Sequence, residues 1–179
     1  MDKKVLVISS SFRNNSNSEA LADQFMEGAK ASGNEAEKIT LGGKHIEFCK
    51  GCLACQKLGK CVIADDTNVI VEKMLNADVL VFASPVYYYS ICGQLKTMLD
   101  RANPLFSSEY KFRDIYFMAA AADEDYEAAA GARTAIQGWA DCFEEAKFAG
   151  MVFAGGVTDA GDVAGHKALL EAFEMGKRV

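Results

Sequence analysis

The stretch Val5–Ser18, VLVISSSFRNNSNS, joins a short apolar run directly to a long polar one. Val5 to Ile8 are four consecutive apolar residues, which predicts a fully buried first strand. From Ser18 to Ser32 apolar residues recur every four positions, and Gly33 follows, which predicts a helix and its end. A buried strand, a polar loop and a helix form the first unit of an α/β sheet.

Apolar runs and helical periods continue to alternate along the rest of the chain. Four further strands are predicted, at Glu35–Leu41, Asp78–Ala83, Asp114–Ala121 and Phe148–Ala154, with Ser84-Pro85 ending the third strand of the chain. Helices are predicted after the capping residues Asp66 and Thr67, and at Gly93–Arg101, Tyr126–Lys147 and Val163–Met175, with a loop at Ala102–Lys111. The expected fold class is α/β, a doubly wound five-stranded parallel sheet in three layers.

Composition restricts the classes of protein that remain. With 179 residues, half of them apolar and a quarter charged, the chain is expected to form one domain over 1–179. The formal charge of -6 and the lack of a Lys/Arg block argue against binding to nucleic acid. The apolar core of the N-terminus is too short for a secretory signal, and no stretch has the apolar length of a membrane span. A cytoplasmic location, away from membranes, is therefore expected.

Ligands of such sheets bind at the carboxyl ends of the strands, so the strand-to-helix loops should carry the site. The first of these loops, Ser9–Ser18, offers hydroxyls, amides and Arg13 at a helix N-terminus, which suits a phosphate group. An equally weighted alternative is ordinary helix capping, by Ser16 with Glu19 or by Ser18. No GxGxxG or GxxxxGKS/T motif follows the strand, so a mononucleotide is favoured over a dinucleotide or a nucleoside triphosphate.

The loop after the third strand, Ser84–Gly93, reads SPVYYYSICG. Its proline, valine and three tyrosines can supply the apolar and aromatic walls that a flat heteroaromatic ring needs. The alternative is that the tyrosines pack in the core or at a subunit interface. A phosphate loop and an aromatic loop on neighbouring strands together predict FMN.

Four cysteines lie in the array CxxCxxCxxxxxC, within a loop at about 48–66; they are Cys49, Cys52, Cys55 and Cys61. Soft thiolates at this spacing, with flexible Gly51 and Gly59 between them, suit an iron–sulfur centre. A structural zinc loop, a redox dithiol and reduced thiols that bind nothing stay open as alternatives.

These motifs together resemble the flavodoxin-like NAD(P)H-dependent FMN reductases, and more closely their iron–sulfur flavoprotein branch. The first loop matches the family pattern at Ser10, Ser11, Arg13, Asn17 and Ser18, with Phe12 where many relatives carry proline. The cysteine module followed by two acidic residues matches the four cysteines with Asp65 and Asp66. A third block matches at Ser84, Pro85, Val86, Tyr87, Gln94, Leu95, Lys96, Asp100 and Arg101.

The resemblance implies a flavodoxin-like fold and residue roles. For the FMN phosphate the expected residues are Ser11, Arg13, Ser16, Asn17 and Ser18. For the isoalloxazine ring they are Pro85, Val86, Tyr87 and Tyr88, with Ala121 and Ala122 at its far edge. The [4Fe-4S] cluster of the iron–sulfur branch would be ligated by the four cysteines.

The expected function is an FMN oxidoreductase that accepts a hydride from NAD(P)H and passes electrons to a quinone, a small molecule or a protein. The flavin carries the chemistry, so no catalytic residue is named. The alternative is a non-enzymatic electron carrier of the flavodoxin or iron–sulfur flavoprotein kind. A phospho-receiver is disfavoured because SSSFRNN follows the first strand where an acidic cluster is needed. The family resemblance further implies a homodimer or homotetramer.

Overall fold

A computed structural model describes residues 2–179 and contains a five-stranded parallel sheet with helices on both faces. The strands are β1 (Lys4–Ser9), β2 (Glu35–Thr40), β3 (Val79–Tyr87), β5 (Asp114–Ala120) and β6 (Lys147–Ala154), in the order β2-β1-β3-β5-β6. A two-residue strand, β4 (Ser90–Ile91), pairs antiparallel with the end of β3. This order reverses direction between β1 and β3, as in flavodoxin-like sheets, and confirms the predicted fold class.

The helices are α1 (Asn17–Ala31), α2 (Cys55–Leu58), α3 (Thr67–Asn76), α4 (Gly93–Arg101), α5 (Ala130–Ala140) and α6 (Lys167–Lys177). Two 3₁₀ turns, Asn103–Ser107 and Tyr126–Ala129, complete the regular structure of the described residues.

The three layers follow from the alternation of side chains along the buried strands. In β1, Val5 and Val7 face the layer formed by α1 and α6, whereas Leu6 and Ile8 face α3, α4 and α5. The strand β3 repeats the pattern residue by residue. Because both faces of each central strand are covered, these strands consist of continuous apolar residues rather than an alternating pattern.

The helices α1 and α6 approach each other so closely that two glycines are required. A Cβ atom on Gly28 would lie 2.0 Å from the carbonyl oxygen of Phe173, and one on Gly176 would lie 2.0 Å from that of Phe25. Real Cβ atoms do not come this close to backbone oxygens. The contact is reciprocal, since each glycine lies against the backbone of the other helix.

Two predicted boundaries were wrong. The strand β3 does not end at Ser84-Pro85 but continues to Tyr87, because its pairing with β1 ends at Ala83 and a proline beyond that point breaks no bond to β1. The helix predicted at Tyr126–Lys147 is a 3₁₀ turn followed by a helix that ends at Ala140. The chain leaves the helix there because Phe143 turns back to pack, buried, against Phe112 and Trp139.

Smaller differences concern the second half of the chain. The final helix starts at Lys167 rather than Val163, with His166 as its N-cap. The loop predicted at Ala102–Lys111 contains the 3₁₀ turn Asn103–Ser107, whose second residue is Pro104. A proline near the start of a helical turn is tolerated because its missing N–H would have no partner there.

Candidate functional site

The loop after β1 is anchored to the neighbouring strand at its first residues. The backbone N–H and the hydroxyl of Ser10 both donate to the carbonyl oxygen of Ala83, at 3.0 and 2.7 Å. Ser9 and Ser10 are completely buried, whereas Phe12, Arg13 and the two asparagines that follow are exposed. The loop therefore leaves a fixed base and presents its polar residues at the carboxyl edge of the sheet.

Ser16 caps the helix α1, as one of the alternatives predicted. Its hydroxyl oxygen accepts a hydrogen bond from the N–H of Glu19 at 3.4 Å and lies 3.2 Å from the hydroxyl of Ser18. The capping box is not closed, because the Glu19 carboxylate accepts from Thr40 at 3.1 Å and pairs with Lys38 at 2.9 Å. Capping uses one N–H of the first turn, and the remaining ones have no partner within the helix.

Asn17 ties the start of α1 to the loop between β6 and α6. Its side-chain amide donates to the carbonyl oxygen of Asp159 at 2.9 Å, and its side-chain oxygen accepts from the N–H groups of Gly161 and Val163 at 3.1 and 3.2 Å. Arg13 reaches the same loop, since its guanidinium donates to the carbonyl oxygen of Thr158 at 2.6 Å. These bonds place the loop after β6 beside the loop after β1.

The opposite wall is the end of β3 and its hairpin with β4. Val86 pairs with Ile91 and Tyr87 with Ser90, so Tyr88 and Tyr89 form the two-residue turn. Both tyrosines have positive φ, 49° and 62°, in the left-handed region that tight hairpin turns of this length require and that glycine or asparagine usually occupies. The side chain of Tyr88 is fully exposed at the tip of the hairpin.

The walls enclose a cleft of about 200 Å³ at the carboxyl ends of β1, β3, β5 and β6. Its lining residues are Ser11, Arg13, Ser16, Asn17, Ser18, Pro85, Val86, Tyr87, Ala120, Ala121, Ala122, Val157 and Thr158. All but one of the predicted cofactor-binding residues are therefore brought together. The exception is Tyr88, which lies outside the cleft.

Three lining residues were not predicted. Ala120 is the last residue of β5, one position before the predicted pair Ala121 and Ala122. Val157 and Thr158 follow β6. The sequence places their loop at the carboxyl edge of the sheet but does not indicate which of its residues line the cleft. Their placement depends on the bonds from Asn17 and Arg13 and on the bond from the N–H of Val157 to the carbonyl oxygen of Ala121 at 2.9 Å. The only available signal was the glycine-rich turn GGVTDAGD after the last strand.

The chemistry of the cleft differs between its two ends. One end combines serine hydroxyls, the guanidinium of Arg13 and the start of a fifteen-residue helix, a set of donors that suits a phosphate. The other end is formed by Pro85, Val86 and small alanines, which leave room for a flat ring. The residues present thus fit a phosphorylated heteroaromatic molecule such as FMN.

A larger cleft, of about 390 Å³, lies at the opposite edge of the sheet, between Lys4, Glu35 and Lys73. Those residues belong to the amino-terminal end of two strands and to the last turn of α3. Since ligands of doubly wound sheets bind at the carboxyl ends, the smaller cleft is the candidate site.

The cysteine loop, residues 48–66, lies between β2 and α3 and contains the short helix α2. Cys49 and Cys52 are exposed, Cys61 is half-buried and Cys55 is buried, and all four are free thiols. Leu53 and the two glycines of the loop have positive φ, which bends the backbone sharply around the cysteines.

Hydrogen-bond donors point at two of the cysteine sulfurs. The side-chain amide of Asn103 donates to the sulfur of Cys55 at 3.0 Å, and the N–H of Gly51 donates to that of Cys49 at 3.4 Å. A second asparagine, Asn68, bonds only backbone atoms of the loop. Its side-chain oxygen accepts from the N–H of Cys61, and its side-chain amide donates to the carbonyl oxygens of Cys61 and Ile63, at 3.0 to 3.2 Å.

A buried ion pair fixes the end of the cysteine loop to α4. Arg101 donates to both carboxylate oxygens of Asp65, at 2.6 and 3.0 Å, and to the carbonyl oxygen of Glu47 at 2.6 Å; the two charged side chains have no solvent exposure. Burial favours the neutral carboxyl, but hydrogen bonds from Arg101 and from the N–H groups of Glu47 and Thr67 hold the pKa of Asp65 well below its usual range. The pair is therefore charged at neutral pH.

Arg101 also faces the cysteines. Burial works to lower its pKa, but the bonds and charge of Asp65, and after them those of Cys61, raise it above the ordinary value. The Nε atom of Arg101 is buried without a partner among the described residues. A positive side chain with a free donor beside a cysteine suits a loop that holds negative thiolates.

Among residues 2–179, no three His, Cys, Asp or Glu side chains converge closely enough to hold a single metal ion. A multi-iron cluster spans a wider set of sulfurs than one ion does. Four thiols of one loop, with amide donors directed at two of them and the Arg101 guanidinium beside a third, are the ligands and outer partners that an iron–sulfur cluster uses. The residues present fit such a cluster.

None of the helices between residues 2 and 179 has both the length and the apolar character of a membrane span.

Comparison with known proteins agrees with the site. The profile of the NADPH-dependent FMN reductase family matches residues 3–175. An iron–sulfur flavoprotein of Methanocaldococcus jannaschii is 39% identical over 102 residues, 57% of this chain and 53% of the relative. A Bacillus subtilis protein named as a candidate NAD(P)H-dependent, FMN-containing oxidoreductase is 28% identical over 188 residues, 98% of this chain and 97% of the relative.

The chain spans about half the length of the iron–sulfur flavoproteins that it matches. Among solved structures, an NAD(P)H:quinone oxidoreductase from Methanothermobacter marburgensis has a TM-score of 0.77 at 16% identity, covering 99% of this chain and 97% of the other. An azoreductase from Bacillus anthracis has a TM-score of 0.75, also at 16% identity, covering 99% of this chain and all of the other. At this identity the two structures support the fold alone. Because the family profile extends over nearly the whole chain and agrees with its strand order, this chain belongs to the NADPH-dependent FMN reductase family.

Proposed function

We propose that this chain is an FMN-dependent oxidoreductase that accepts a hydride from NAD(P)H and delivers electrons to a quinone, another small molecule or a protein. The observation that carries the proposal is the two-ended cleft, in which phosphate donors and an apolar slot lie side by side at the switch point of the sheet. Bound FMN would supply the chemistry, as hydride acceptor and electron donor.

The residues of the cleft have separate roles in this proposal. Arg13 and the hydroxyls of Ser11, Ser16 and Ser18 bind the phosphate, while Asn17 positions the loop after β6. Pro85, Val86 and Tyr87 border one face of the ring and exclude water from it, and the small side chains of Ala121 and Ala122 border its edge. Tyr88 is fully exposed and does not line its own cleft, so it would cover the ring only from a neighbouring copy.

The cleft has no general acid or base of the kind that hydrolases need. Its lining residues include no Asp, Glu, His, Cys or Lys; the only side chains among them with ionisable groups are Arg13 and Tyr87. The protein therefore contributes binding, orientation and a dry wall rather than proton transfer.

The second part of the proposal is a [4Fe-4S] cluster ligated by Cys49, Cys52, Cys55 and Cys61, which would pass electrons singly to a protein acceptor. It is supported by the donors directed at the sulfurs and by the similarity to iron–sulfur flavoproteins. Zinc is less consistent with the loop, because structural zinc sites bring four ligands around one ion. We place the protein in the cytoplasm, where thiols stay reduced.

Self-association is the third part, as a homodimer or homotetramer. The exposed tyrosine at the hairpin tip lies beside the cleft, so a second copy could complete the site there. Sedimentation of the FMN-loaded protein over a range of concentrations tests this: a species of monomer mass throughout would contradict it.

The main experiment uses protein purified without oxygen. Absorption is expected to show flavin peaks and a broad shoulder near about 400 nm from the cluster, and NAD(P)H should be oxidised in steady state with quinone or ferricyanide. Flavin binding with almost no NAD(P)H oxidation would favour an electron carrier instead. Colourless protein that does not take up added FMN would overturn the proposal.

A further inference from the structure

We propose that Asn103 sets the reduction potential of the cluster, by donating a hydrogen bond to the sulfur of Cys55 and so favouring the reduced state. The inference rests on the proposed cluster at the cysteine loop. It assigns Asn103 as a positioning residue, since it acts on the iron centre through a cysteine ligand.

The donor and the acceptor are both held in place. Asn103 opens the 3₁₀ turn after α4, next to the buried Pro104 and two residues after the buried ion pair of Arg101. Its amide nitrogen lies 3.0 Å from the sulfur of Cys55, the one cysteine of the array that is buried. Asn103 itself is half-buried, and a hydrogen bond that is partly shielded from water is stronger than one at the surface.

The direction of the effect follows from charge. Reduction adds one electron and no atom, so the ligand sulfurs become more negative. An N–H group directed at a sulfur stabilises the more negative state more, which raises the potential. The Arg101 guanidinium beside Cys61 works in the same sense, but its removal would break the buried pair with Asp65 and is a poor test.

The chain offers a matched control in Asn68. Both asparagines lie outside the array and hold the cysteine loop, but Asn68 bonds only backbone atoms of Cys61 and Ile63. Asn68→Ala should therefore loosen the loop without removing a donor from any sulfur. Asn103→Asp keeps the shape of Asn103 and replaces its donor by a carboxylate.

The experiment measures the midpoint potential of the cluster. Flavin-loaded protein is reconstituted without oxygen with ferrous iron and sulfide, then titrated with dithionite while the electron paramagnetic resonance signal of the reduced cluster is recorded. We expect Asn103→Ala to lower the equilibrium constant for reduction of the cluster about tenfold, which for one electron lowers the midpoint potential by about 59 mV. Asn103→Asp should lower the potential at least as much, and Asn68→Ala should leave it unchanged.

The outcomes separate this inference from the proposed function. An unchanged potential in Asn103→Ala, or an equal shift in Asn68→Ala, would overturn the role of Asn103 while leaving the cluster in place. Loss of the cluster in both Asn103 variants but not in Asn68→Ala would also overturn it, since Asn103 would then serve assembly. Wild-type protein that forms no cluster would overturn the cluster and this inference together.

Discussion

The candidate cleft and the cysteine loop are built in different ways. The cleft is formed by loops that leave parallel strands at one edge of the sheet, so the strand order brings most of its residues together. The cysteine loop lies between β2 and α3, and side chains from α3, α4 and the 3₁₀ turn hold it. A site of the first kind can be located from the sequence, whereas the geometry of the second depends on contacts between distant residues.

The largest expected effect concerns the support of the cysteine loop. Arg101→Ala leaves Asp65 charged, buried and without its partner, and should lower the free energy of unfolding by about 3–5 kcal/mol. Urea denaturation followed by circular dichroism measures it. The control is Lys96→Ala in the same helix, which removes the exposed pair with Asp100 and should cost less than about 1 kcal/mol. Equal losses would contradict the role given to the buried pair.

The next effect concerns the scaffold below the cleft. Gly28→Ala would place a Cβ 2.0 Å from a backbone oxygen of α6, so the helices must separate; we expect a loss of about 3 kcal/mol. Gly138→Ala in α5 meets nothing within 4 Å and should stabilise by about 0.5–1 kcal/mol. Thermal unfolding of the two variants checks the opposite signs.

Removal of the Arg13 guanidinium from the cleft should affect ligand binding more than the stability of the fold. We expect Arg13→Ala to weaken FMN binding by about 1.5–3 kcal/mol, roughly tenfold to a hundredfold, because a charged hydrogen bond to the phosphate is lost. Quenching of flavin fluorescence during titration gives the dissociation constant. Arg133→Ala, an exposed arginine on α5 outside the cleft lining, is the control and should bind FMN normally.

The buried pair also makes stability depend on pH in the acid range. The folded state lowers the pKa of Asp65, so its contribution is present above the unfolded value near about 3.9 and is lost as the pH falls below it, by roughly 1.4 kcal/mol per pH unit. In Asp65→Asn the free energy of unfolding should already be lower at neutral pH and should fall less steeply as the pH is lowered. Acid unfolding followed by circular dichroism measures both. An identical acid slope in both proteins would contradict this assignment.

The smallest effect is expected at the hairpin. Tyr88 has positive φ and a fully exposed side chain, so Tyr88→Asn, which suits that backbone conformation better, should raise the free energy of unfolding by about 0.5–1 kcal/mol. Urea denaturation of the isolated protein measures the change. A marked destabilisation would mean that the tyrosine packs within its own chain.

The two regions also differ in what the sequence could predict. Four apolar runs and a weaker fifth segment, Glu35–Leu41, located the five parallel strands. The strand-to-helix loops then located all but one of the predicted cofactor residues in a single cleft. The prediction failed at Pro85, where β3 continues because β1 has already ended, and at Phe143, whose burial ends α5 early. Both outcomes depend on tertiary neighbours, which local periodicity does not reveal.

For the cysteine loop the sequence indicated the candidate ligands but not the side-chain contacts that fix the loop in place. Asp65 and Arg101 appeared as separate parts of a family pattern, and nothing in their spacing of 36 positions shows that they pair. Asn103 lies 48 positions from Cys55, in a segment predicted as a plain loop. Contacts of this length are set by the fold, so they emerge only with the structure.

The glycine contact between α1 and α6 has a consequence for the order of folding. The first turn of α1 forms the end of the cleft proposed to bind phosphate, but α1 reaches its final packing only against α6, which starts 150 positions further along the chain. Closing so long a segment costs chain entropy before any contact repays it, which slows folding. During synthesis, therefore, the cradle for the cofactor would remain loose until α6 has left the ribosome.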